Sequence, residues 1–142
     1  MRTALKIDKA RPERPVAALL RAYHPEVEAI GLAARALILD IFPNLNTEIV
    51  DNKVRVIGYG YGPKYVDTVC VIMPNEEGIT LGIGHATELP DPTNLLEGTG
   101  KVHRHVKLKT ESDLRVPALR TLLHAGVAHW ETRRKSTNKA KA

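Results

Sequence analysis

The sequence predicts an α+β domain in which an antiparallel sheet of four or five strands packs against N-terminal and C-terminal helices. Three observations carry this expectation. An apolar stripe of helical period opens the chain, short β-branched runs separated by turn residues fill its middle, and a helical period returns near its end.

The first helix spans Arg14 to Tyr23, with Pro15 suited to an initial helical position. It stops near His24, because Pro25 disfavours helical geometry in the residue before it. Pro25 then opens a second helix, whose first turn carries Glu26 and Glu28 where the helix dipole favours anions. Val27, Ile30, Ala34, Leu37, Ile38 and Ile41 recur at three and four residues and mark its buried face, and Pro43-Asn44 ends it. From Thr47 the period shortens. Thr47–Val50, the weaker strand candidate, and Val54–Ile57 flank Asp51-Asn52-Lys53 as a hairpin. Val66 to Met73 is a strand closed by Pro74, and Asn75-Glu-Glu-Gly78 turns it into a return strand, Ile79–Ile83. A long connection from His85 to Gly100 contains Asp91-Pro92, which can cap one short helical turn ended by Gly98. Val102 to Leu108 is the last strand. Ser112 or Asp113 caps the final helix, with Pro117 near its start and Leu119, Leu122, Leu123, Val127 and Trp130 on its buried side.

With 142 residues, the chain fits one domain that can bury a core without cross-links. Lysine and arginine exceed aspartate and glutamate by 21 to 16, but residues 133–142 hold five cations and no acid. Residues 1–132 therefore balance to zero and read as the folded domain, while 133–142 read as a basic, disordered tail. The most apolar run, Ala29 to Phe42, is interrupted by Arg35 and Asp40 and is too short to cross a membrane. The N-terminus has no apolar stretch behind its charges, so a cytoplasmic protein without a membrane partner is expected. A single cysteine, Cys70, excludes an internal disulfide and a cysteine-based zinc site.

Gly58-Tyr-Gly-Tyr-Gly-Pro-Lys-Tyr65 concentrates three of the four tyrosines in eight residues. Its spacing is not a dinucleotide fingerprint, since a proline follows and no helix opens behind it. Two readings compete: a bulged crossing whose tyrosines cover the edge of the core, or a pocket wall in which Tyr59, Tyr61, Lys64 and Tyr65 touch a ligand. In the last strand, alternation puts Arg104 on the apolar face with Val102, Val106 and Leu108. A guanidinium directed inward must pair with an acid, with Asp67 the candidate, or hold an anion, because it keeps its proton. His103 and His105 share the opposite face and could chelate a transition metal if His85 supplied a third ligand. No nucleophile–base set has local support. An acid–base enzyme would need a histidine inside a pocket, and His85 is the one nominated. Aromatic residues at 4% argue against a stacking platform for single strands, which leaves the Lys101–Lys109 strand and the tail as the only basis for nucleic-acid contact. An exposed edge strand would make a homodimer easy to form.

Tyr59-Gly-Tyr-Gly62, Asp67-Thr-Val-Cys-Val-Ile-Met73, Leu95-Leu-Glu-Gly-Thr-Gly-Lys101 and His103-Arg-His-Val-Lys107 together resemble the YdhG-like family of small bacterial domains of unknown function, over roughly Ala17 to Val127. That resemblance implies an antiparallel sheet packed against helices. One branch of the family is described as a frataxin-like intracellular iron chaperone, so it also makes iron a conceivable ligand. The function expected is a non-enzymatic binding module with a small Tyr/Arg-lined pocket for a small, anionic ligand, the alternatives being an intracellular metal chaperone and a nucleic-acid-binding accessory protein.

Overall fold

The computed structural model describes residues 2–92, 94–98 and 104–141, and their side chains except at 65 and 134–141. Strand β1 (Arg2–Lys6) is followed by helices α1 (Arg14–Arg21) and α2 (Pro25–Ile41). Strands β2 (Thr47–Asp51), β3 (Val56–Gly60), β4 (Thr68–Asn75), β5 (Gly78–Ile83) and β6 (Arg104–Leu108) come next, and helix α3 (Pro117–Lys141) closes the chain. The strands form one antiparallel sheet in chain order, β1 to β6.

The sheet thus has six strands where four or five were expected. The additional strand is β1, an edge strand of sequence Arg-Thr-Ala-Leu-Lys in which only Leu5 is even half-buried. With no apolar alternation of its own, it owes its conformation to the ladder it makes with β2, from Arg2 opposite Asp51 to Lys6 opposite Thr47. The β2–β3 hairpin turn is longer than anticipated, taking in Val54 and Arg55 so that β3 starts at Val56: Asp51 Oδ1 accepts from the Lys53 and Val54 amides, and Arg55 adopts a left-handed conformation.

Register sorts the side chains of the sheet onto two faces. Leu5, Glu48, Tyr59, Cys70, Ile83 and Arg104 lie in one cross-strand row facing the helices. Val50, Ile57, Ile72, Leu81 and Val106 fill the next row on that side, all of them buried. Helix α2 lies across β4 and β5, so its apolar stripe and this row form a single core with α1 and α3. His24 caps α2 by accepting the Glu26 amide at its Nδ1. After β6, Thr110 and Asp113 form a reciprocal capping box on a separate 3-10 turn, Glu111–Arg115, so Ser112 and Asp113 lie inside that turn and the final helix starts only at Pro117. Leu119, Leu122, Leu123 and Trp130 of α3 are buried as anticipated, and the helix continues through Lys141, across the segment whose composition suggested a frayed tail. Asp91 does not start a helix. Its two carboxylate oxygens accept the Leu95 and Leu96 amides and so brace the loop that leads to a single bridge between Glu97 and His105. Among the described residues the helices share their core with this face, while Ile49 and Val71 of the opposite face stand outside it.

Candidate functional site

The tyrosine-rich segment resolves into different fates. A bulge between Tyr59 and Gly60 shifts the β3–β4 register, as the crossing-strand reading anticipated. Tyr59 is fully buried, which corrects the expectation that it walls a ligand pocket: its position in the row facing the helices puts its ring inside the core. Beside it lies the one buried guanidinium among the described residues, which is Arg35 of α2 and not Arg104. Arg35 Nε and Nη2 donate to Glu48 Oε2 and Oε1 at 2.7 and 3.2 Å, and Nη2 also donates to the Asp8 carbonyl at 2.7 Å. This fork on a carboxylate is the geometry that a buried pair needs to offset its desolvation. Burial opposes the Arg35 charge, but Glu48 and Tyr59 together hold its pKa above the ordinary value. Burial, reinforced by the Glu48 charge, pushes the Tyr59 phenol well up, and its hydroxyl makes no hydrogen bond of good geometry. Tyr61 is half-buried and tilts against Trp130 with ring centroids 6.1 Å apart. Lys64 is exposed, and the Tyr65 side chain lies outside the described residues.

The cavity of interest lies on the uncovered face of the sheet. Ala4, Ile49, Gly58, Val71, Gly82 and His105 form one cross-strand row there, with Arg2, Asp51, Val56, Met73, Thr80 and Lys107 beside it. Gly58 and Gly82 flank Val71 and carry no side chains; Val71 Cγ2 takes the space over Gly82, where a Cβ would meet it at 2.6 Å, so the open part of the row lies over Gly58. A methyl group at Gly58 would meet Thr68 Cγ2 at 3.5 Å, an ordinary contact, so the hollow exists because nothing fills it. The volume is about 480 Å³, within the range of small-molecule sites. Ile49, Val56, Val71 and Met73 give it apolar walls, while Arg104 and His105 border it at the β6 edge and Arg2 with Asp51 at the other side. Arg104 is among the residues that border this hollow although register puts it in the row facing the helices, and among the described residues aliphatic side chains and no tyrosine wall it. Cys70 also borders the cavity, and burial pushes its thiol up to about 12, which leaves it without nucleophilic character near neutrality.

The histidines are distributed differently from the expectation. His103 lies outside the described residues, and His105 faces the open side, its ring against Gly98. His85 meets Glu88 and His129 instead. Its Nδ1 is 3.3 Å from Glu88 Oε2, and His129 Nε2 is 3.5 Å from the same oxygen. The two imidazole centroids are 5.5 Å apart, and Trp130 sets its edge to the His85 ring at 5.3 Å. Burial and the nearby Arg133 charge lower the His85 pKa, with Glu88 acting against them. Among the described residues this is the one group of three or more metal-capable side chains. No sequence spacing reveals it, because His129 lies on α3 and its neighbours come from the turn after β5. Comparison with protein-family models, curated proteins and solved structures finds no match to this chain.

Proposed function

We propose that the protein is a non-enzymatic binding module that holds a small amphipathic anion on the uncovered face of its sheet. The carrying observation is one juxtaposition: an apolar trough of about 480 Å³ whose lining at the β6 edge includes Arg104 and His105. The apolar body of such a ligand would lie over Gly58, against Ile49 and Val71, and its acidic head would be held at the β6 edge. Arg104 is suited to that role because it stays charged at any physiological pH and presents a planar fork. Arg2, at the far rim, sits opposite Asp51 in the ladder and is less available to an anion. What supports a binding role over catalysis is that Cys70, the thiol among the described lining residues, is held protonated by burial.

Anilinonaphthalene sulfonate, an aromatic anion, is a direct probe, with competition by decanoate as a second readout. The folded protein should bind it saturably at a single site. Gly58→Val, which fills the trough at a position where a side chain meets no backbone clash, should weaken binding at least about tenfold, or roughly 1.4 kcal/mol. Arg104→Met should weaken the sulfonate but leave a neutral naphthyl analogue unaffected. Equal binding of charged and neutral probes by both variants and the parent would refute the reading.

A further inference from the structure

Away from the sheet cavity, three side chains that no sequence motif connects converge between the turn after β5 and helix α3. His85, the left-handed N-cap residue of a 3-10 turn, and Glu88, at the end of that turn, are three residues apart and bring their side chains together. His129 meets them from α3. We infer that His85, Glu88 and His129 form a binding site for a divalent late first-row transition ion of the zinc type.

The geometry is close to what such an ion needs. Metal bonds of about 2.0–2.1 Å in a tetrahedron place neighbouring donor atoms about 3.4 Å apart. The two nitrogen-to-oxygen separations here are 3.3 and 3.5 Å, and all three donor atoms lie within 4.8 Å of one another. Two imidazoles and one carboxylate suit zinc, cobalt or nickel better than a hard cation such as magnesium or calcium. Three protein ligands leave a fourth position open, the pattern of a site that exchanges or presents its ion. His129 Nε2 is sealed from solvent and forms no hydrogen bond, so this nitrogen is aimed at the Glu88 oxygen without being satisfied by it. Trp130 closes one side of the group, with its edge on His85 and the Arg133 guanidinium 5.7 Å over its ring. Arg133 works against a bound cation, so removing its charge should strengthen the site.

The position of Trp130 supplies the readout, because it is the only tryptophan of the chain. Cobalt(II) titrated into the tag-free full chain should quench Trp130 fluorescence with one-to-one stoichiometry and produce the visible absorption of a four-coordinate site. Zinc(II), which does not quench, should restore the emission by displacement. Glu88 is largely exposed, so Glu88→Gln preserves the fold, and it should weaken cobalt at least about tenfold. His129→Gln should abolish the quenching, Arg133→Gln should tighten it, and His105→Asn should leave it unchanged. Two results would overturn the inference: no quenching by cobalt at micromolar concentration, which leaves only a histidine–glutamate ion pair, or quenching that survives Glu88→Gln intact. The site shares no residue with the sheet cavity, so failure of either proposal leaves the other standing.

Discussion

Arg35 keeps a full positive charge in the core, and the Glu48 carboxylate, helped by the Asp8 carbonyl, makes that tolerable. Removing one partner leaves the other charge stranded, which costs about 3–5 kcal/mol, a large share of the roughly 5–15 kcal/mol that holds a domain together. Arg35→Met should therefore lower the urea midpoint severely. Arg35→Met combined with Glu48→Leu should recover most of the loss, since an apolar pair of similar size removes both desolvation penalties. If the double variant is as unstable as the single, the pair contributes something beyond charge balance, such as fixing the register of α2 on β2. Tyr59 gives a second measurement at the same place. Its buried hydroxyl has no good partner, so Tyr59→Phe should leave stability unchanged or raise it by up to about 1 kcal/mol. Cys70 supplies a third. With its thiol pushed up to about 12, roughly one molecule in ten thousand carries the thiolate at pH 8. An aromatic disulfide reagent at that pH should leave the folded protein unmodified and label it at once in denaturant. Labelling of the native state at the rate of a free thiol would mean that the β4 region opens readily.

At the level of elements, hairpins are where local chemistry decides most. Gly78 holds a backbone angle of φ 152° at the start of β5, and a methyl group there would sit 2.2 Å from the Leu108 carbonyl oxygen. Relaxing that clash must move backbone, so Gly78→Ala should cost about 1–3 kcal/mol, read as a lower thermal midpoint. A midpoint within experimental error of the parent would mean that the turn rearranges freely. The same locality explains which elements were legible beforehand. Helix α2 and the β4–β5 hairpin announce themselves by apolar period and by the Asn-Glu-Glu-Gly turn, because neighbours in sequence determine them. Strand β1 does not, since its partner lies more than forty residues away and its own side chains are mostly exposed. The candidate sites follow the same division. Alternation correctly put Arg104 in the row with Val106 and Leu108, yet nothing local revealed that Gly58 would stand across from Val71 and leave a trough. Arg35 was visible only as an interruption in an apolar run. Its meaning depends on Glu48, on a strand whose existence was itself doubtful from sequence.

Across the whole molecule, the described residues of the helices share their core with one face of the sheet, and this asymmetry separates the two proposed sites. The trough is built from sheet residues and should persist as long as the ladder does. The histidine group needs α3 docked, because His129 and Trp130 reach it only from that helix. Whether α3 is an integral part of the fold therefore determines how long the second site survives under stress. Its residues Leu119, Leu122, Leu123 and Trp130 join the same continuous core as α1, α2 and the inner face of the sheet, with no second cluster of its own. A domain of this size with one core should unfold in a single cooperative step. Trp130 fluorescence reports α3 and far-UV circular dichroism reports helices and sheet together, so their denaturant curves should superimpose with one midpoint and one slope. Loss of the fluorescence signal at lower denaturant would identify α3 as a separately opening unit. In that case cobalt, by binding His129 and the β5 turn together, should close the gap between the two curves, whereas anilinonaphthalene sulfonate on the open sheet face should leave it in place.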